Sequence, residues 1–73
     1  MKLIDLLNKT QMELELSNSE FAKYIGTSRT WWVNMKYHDN YGRPISKKTG
    51  FKLKNRTKVT DELIDEYNEG RVK

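Results

Sequence analysis

The stretch Leu16-Ser17-Asn18-Ser19-Glu20-Phe21-Ala22-Lys23-Tyr24-Ile25-Gly26-Thr27-Ser28-Arg29-Thr30-Trp31-Trp32-Val33-Asn34-Met35-Lys36 decides the fold. Ser17 stands three residues ahead of Glu20, the spacing of a capping box. The serine hydroxyl accepts from the backbone near Glu20 while the glutamate reaches back to the serine N–H, and a helix starts there. Phe21, Ala22 and Ile25 then share one helical face, and Gly26 takes the positive φ of a sharp turn at no steric cost. Ser28 caps a second helix, on which Trp32 and Met35 point inward and Arg29, Thr30, Val33, Asn34 and Tyr37 point outward. A small Ala22 at the crossing lets the two helices approach closely. This is the pattern of a helix-turn-helix.

These residues, with the Glu15-Leu16-Ser17 lead-in, resemble the helix-turn-helix of lambda repressor-like and Cro-like regulators of phages and mobile elements. The resemblance covers about half of the 73 residues. Two positions depart from the family pattern: Thr27 replaces the usual aliphatic residue after the turn, and Trp32 replaces a smaller one on the second helix. Trp32 can fill the volume that Thr27 leaves. The resemblance implies major-groove readout of duplex DNA by helix 28–37; separately, the absence of cysteine and of any metal-ligand spacing points to the reducing cytosol, a cytoplasmic location, and to no cofactor or metal.

Working outward, Leu3, Leu6, Leu7, Thr10 and Leu14 form the apolar stripe of a first helix over about 2–15. His38-Asp39-Asn40-Tyr41-Gly42 is rich in turn formers, and Pro44 stops any helix. Phe51-Lys52-Leu53-Lys54 alternates apolar and basic, which suits a strand with Phe51 and Leu53 inward. With Arg43-Pro44-Ile45-Ser46 and the intervening Lys47-Lys48-Thr49-Gly50 it predicts a short basic hairpin. Thr60 caps a final helix with Val59, Leu63, Ile64 and Tyr67 as its apolar face. The expected fold is therefore mainly α: one helix-turn-helix domain of about four helices, with a β-hairpin wing between helices three and four. Lambda repressor-like domains usually follow the recognition helix with further helices instead. The wing resembles that of excisionases and of the mercury-resistance regulator family, which usually lack a helix before the motif.

Charge agrees with a polyanionic partner. The formal net charge is +4, but residues 28–60 carry nine bases against Asp39 alone, or +8, while the segments on either side are acidic. Positive charge thus begins at the recognition helix and continues beyond it, where a scattered solubilising surface would mix the signs.

The readout assignments follow from side-chain chemistry. Arg29 pairs with guanine and Asn34 with adenine in the major groove, and Thr30 and Val33 touch thymine methyls or phosphate. Asn18, Ser19 and Ser28 offer hydroxyl, amide and backbone groups at helix N-termini, where phosphate binds. Arg43, Lys47, Lys48, Lys52 and Lys54 are phosphate contacts of the wing, and Tyr37 either extends the surface or closes the core. For each polar residue the plainer reading is an ordinary solvated side chain.

Trp31 cannot share the face of Trp32. Either it lies over the wing or the end of the first helix, or it anchors a second subunit or a partner repressor. The latter motivates an antirepressor, which would bind a regulator instead of DNA; an excisionase-like DNA-bending protein is a further alternative. An enzyme has little support: His38 is the only histidine, cysteine is absent, and no phosphate loop or metal-ligand spacing occurs. No apolar run is long enough to cross a bilayer, and Asp5 interrupts the N-terminal stretch too early for a signal peptide.

Overall fold

Three helices start at the capping residues read from the sequence, Ser17, Ser28 and Thr60. A computed structural model describes residues 2–71, in which α1 (Leu3–Leu14), α2 (Asn18–Ile25), α3 (Arg29–His38), α4 (Lys47–Arg56) and α5 (Asp61–Asn68) follow one another with no strand among the described residues. The Ser17 hydroxyl accepts from the Glu20 N–H at 3.2 Å, and the Glu20 carboxylate accepts from the Ser17 N–H at 3.0 Å. That backbone hydrogen bond, with help from the hydroxyl, holds the Glu20 carboxyl below its ordinary value, so this cap contributes above pH 4.5 and fades as pH falls. Gly26 ends α2 at φ 82°, as a tight turn into α3 requires.

The hairpin wing is overturned. Ser46 accepts from the Thr49 N–H at 3.2 Å and opens α4, so Lys47, Lys48, Lys52 and Lys54 lie on a helix. The alternation that suggested a strand was local. A helix sets Phe51 and Leu53 about 200° apart, and accordingly Leu53 is buried while Phe51 is 61% exposed. Gly50, expected in the wing's turn, sits inside α4 because a Cβ there would meet Ile64 Cδ1 at 3.2 Å. The missing side chain lets α4 and α5 approach, a constraint invisible along the chain.

The helices enclose one core of Leu3, Leu7, Phe21, Ala22, Ile25, Trp32, Met35, Ile45, Leu53 and Val59. α2 packs on α3 and α4, α1 on α3 and α5, and α4 on α5. Phe21 meets Trp32 edge-on, with ring centroids 4.8 Å apart, an arrangement that aligns the ring quadrupoles. Thr27, the departure from an aliphatic residue, turns its hydroxyl to the Ala22 carbonyl at 3.4 Å. On α1 the buried residues are Leu3, Leu7 and Gln11, while Leu14 is exposed.

Tyr67, Asn68 and Arg71, at and just after the end of α5, are tied to the segment after α3. Asn68 accepts from the Ile45 N–H at 2.7 Å and donates to the Ile45 carbonyl at 3.1 Å. One Arg71 nitrogen reaches both Asp39 carboxylate oxygens at 3.0 Å, and the Tyr67 hydroxyl donates to the Asp39 carbonyl at 3.3 Å. Burial pushes the Tyr67 phenol up to about 12, against the lowering effect of Arg71. A raised folded-state pKa means the folded chain holds this proton more tightly than the unfolded one, so its contribution is complete below pH 10 and lost as pH rises towards 12. Alkaline titration followed by circular dichroism is expected to show stability falling across that window, with Tyr67→Phe flattening the fall. An unchanged slope in the variant would mean that Tyr67 does not govern it.

Candidate nucleic-acid interface

α3 is presented as its spacing requires. The Ser28 hydroxyl accepts from the Trp31 N–H at 3.1 Å, which fixes the first turn. With Trp32 and Met35 buried, Arg29, Thr30 and Tyr37 are exposed and Val33 and Asn34 half-buried on the other side. Among the described residues nothing pairs with the Arg29 guanidinium. The surface thus offers a forked cation, an amide, a hydroxyl and a methyl-bearing side chain along one helix, the donor, acceptor and apolar types that distinguish base pairs in a major groove. Tyr37 extends this surface and does not close the core. Trp31 is half-buried and packs against the core, so it covers the interior more than it projects.

Asn18 is the residue whose placement differs most from a simple phosphate contact. Its Oδ1 accepts from Gln11 Nε2 at 2.9 Å, from Trp32 Nε1 at 3.2 Å and from Lys36 Nζ at 3.4 Å. Gln11, 7% exposed, also donates to the Leu16 carbonyl and accepts from Lys36 Nζ at 3.0 Å. Lys36 lies over the Trp32 and Tyr37 rings at 5.8 and 5.6 Å. One amide oxygen therefore joins α1, the start of α2 and the middle of α3, and sets how α3 is held. Gln11 and Lys36 were not among the expected site residues. The available signal was Gln11 four residues after Leu7, a polar group on the buried stripe.

Ser19 is exposed beside Asn18 at the start of α2, as are Arg43 after the turn and Lys48 on α4. The remaining expected phosphate contacts are dispersed. Lys52 Nζ donates to the Gly26 carbonyl at 2.9 Å, placing a cation at the negative end of α2. Lys54 pairs with Asp61 at 2.7 Å. Lys47 lies with Phe51 and Lys54 along a groove against α5. Arg56 and Lys58 line another groove with Lys9 on α1. The basic segment is continuous in sequence but does not form one stripe in space.

The turn between α3 and α4 is unusual. Asp39, Asn40 and Tyr41 hold φ of 48°, 53° and 52°, followed by Gly42 at 74°. Left-handed conformation costs a non-glycine residue roughly 1–2 kcal/mol, and asparagine and aspartate tolerate it best. The Asp39 and Arg71 contacts, and the buried Asn40 amide donating to the Arg43 carbonyl at 3.2 Å, hold the turn in place. His38 and Tyr41 stack on it at 5.0 Å between centroids.

The chain matches no protein-family model, no curated protein and no solved structure. No helix among the described residues is long and apolar enough to cross a membrane.

Proposed function

We propose that this protein is a sequence-specific DNA-binding regulator of the lambda repressor-like kind, which places α3 in the major groove of duplex DNA. The observation that carries the reading is the outward row of Arg29, Thr30, Val33, Asn34 and Tyr37 on a capped helix set across α2 by a glycine turn. With α4 in the place of the expected wing and the expected last helix as α5, helices alone follow α3 among the described residues, which supports the reading because further helices after the recognition helix are what the resemblance implies. In this reading Arg29 and Asn34 read bases, Thr30 and Val33 make apolar or hydroxyl contacts, and Ser19, Arg43 and Lys48 hold the phosphates. Asn18 acts through the packing of α2 on α3. The protein works in the cytoplasm, without a cofactor.

Selection of bound fragments from random duplex DNA, followed by titration at several salt concentrations, tests this. A preferred sequence is expected, with affinity falling steeply as salt rises because counterions are released from phosphates. Arg29→Ala and Asn34→Ala are each expected to cost roughly 1–3 kcal/mol on the preferred site, whereas Lys48→Ala weakens all sequences alike and makes the salt slope shallower. Absence of any duplex from the selected pool, or equal losses for Arg29→Ala on every sequence, would overturn the assignment.

A further inference from the structure

We infer that the groove bounded by α1, α2 and residues 56–58 is a docking site for an acidic segment of a partner protein, which inserts an apolar side chain flanked by carboxylates. The inference does not depend on DNA binding, because no residue lining this groove belongs to α3, to the start of α2 or to the turn after α3. Lys9 stands on the α1 side of the groove, and Arg56 and Lys58 stand on the other. All three are exposed, and among the described residues none of them takes part in an ion pair. One acid, Glu13, shares the groove and is unpaired as well. The other grooves that contain bases are balanced or acidic: beside α4 and α5, Lys47 and Lys54 meet Asp61 and Asp65, and around Arg71 the acids outnumber the bases. Arg56 and Lys58 are thus bases of the 28–60 segment that the readout surface leaves without a role.

The same groove is lined by Leu6, Leu14 and Tyr24, and Leu14 and Tyr24 keep 42% and 39% of their surface exposed. Removing apolar surface from water is favourable, so an occupant gains by placing an apolar side chain between the two walls. The cations decide what stands beside it. With positive charge on both walls, carboxylates on both sides of the apolar group are favoured, and a peptide chain supplies them in one molecule. Duplex DNA carries the negative charge but has no apolar side chain to place between Leu14 and Tyr24. A single-headed amphiphile meets one wall and leaves the other unmet. A lipid bilayer takes up apolar groups that project from a protein, whereas a groove receives them.

Selection from random linear peptides displayed on phage, with this chain as bait and no DNA present, tests the inference. Enriched peptides are expected to carry aspartate or glutamate on both sides of a leucine or an aromatic residue. A synthetic copy of the most enriched one is expected to bind in solution with an affinity that falls as salt rises, because the charges it meets are exposed. Arg56→Glu and Lys58→Glu are each expected to weaken that peptide about fivefold, the effect of turning an exposed attraction into a repulsion. Leu14→Ala is expected to weaken it about threefold through lost apolar contact. Lys47→Glu makes the same change of charge on α4, outside the groove, and is expected to leave the affinity as it was. All four positions are exposed, and circular dichroism checks that the variants keep their helices. Enrichment of peptides without acids, no loss in Arg56→Glu and Lys58→Glu, an equal loss in Lys47→Glu, or binding to phosphatidylserine vesicles but to no selected peptide would overturn the inference.

Discussion

Truncating Trp32 to alanine is expected to cost about 3–5 kcal/mol of folding stability, as for other fully buried aromatic residues. Trp32 is 0% exposed and is the largest side chain in the core. Its ring packs edge-on against Phe21, and its indole N–H donates to Asn18. Removing it opens a cavity between α2 and α3 and takes one donor from the Asn18 oxygen, so packing and polar losses add. A domain of 73 residues buries a small share of its surface and belongs at the low end of the 5–15 kcal/mol typical of folded proteins. The variant should therefore be largely unfolded, or nearly so, in urea titration followed by helical circular dichroism. Trp31→Ala is the internal control: its side chain is half-buried and its loss should be clearly smaller. A Trp32→Ala protein with an unchanged midpoint would mean that the inward face of α3 has been assigned wrongly.

Replacing Asn18 by alanine is expected to cost about 1–3 kcal/mol, the cost of one unmet polar group at a part-buried position. Gln11 Nε2 and Lys36 Nζ keep other partners, at 3.1 and 3.0 Å respectively, while Trp32 Nε1 loses its acceptor. Asn18→Asp separates this structural role from phosphate binding. The carboxylate retains acceptor oxygens, gains an opposite charge near Lys36, and lies in the first turn of α2 where an acid is favoured, so stability should be largely kept. If a phosphate approaches the start of α2, the same change repels it and DNA binding falls. Equal loss of stability in the two variants would show that the amide geometry itself is required; equal DNA affinity in Asn18→Asp and wild type would place the phosphates elsewhere.

The parts legible in the sequence are those encoded by close neighbours. Ser17, Glu20, Gly26, Ser28 and Thr60 act within one turn of themselves, and each caps or ends a helix where its spacing says it should. Trp32 and Met35 were assigned inward on helical spacing, and both are buried. The outward row on α3 follows by elimination. These features involve interactions over three or four residues, which a linear reading contains in full.

What failed was the segment where two periodicities competed. Phe51-Lys52-Leu53-Lys54 alternates perfectly over four residues, but Gly50, Leu53 and Thr57 follow the three- and four-residue steps of a helix, which Gly50 disguises as a turn. The glycine belongs in α4 because Ile64 of α5 occupies the place of its side chain. The placement of the charges was likewise not legible: of the nine bases in 28–60, Lys36 is held by Gln11 and Asn18, Lys52 by the Gly26 carbonyl and Lys54 by Asp61.

The sequence by itself determined where four helices begin and which side of α3 faces the core, since caps and apolar spacing act over a single turn and need no partner. Only the tertiary structure decided that residues 47–56 are helical, that Asn18 and Gln11 tie α1, α2 and α3 through one oxygen, and which lysines are taken up by other groups. Those outcomes depend on atoms brought together from 7 to 26 residues apart, and a helical cap or an alternating pattern carries no information about what will stand opposite it.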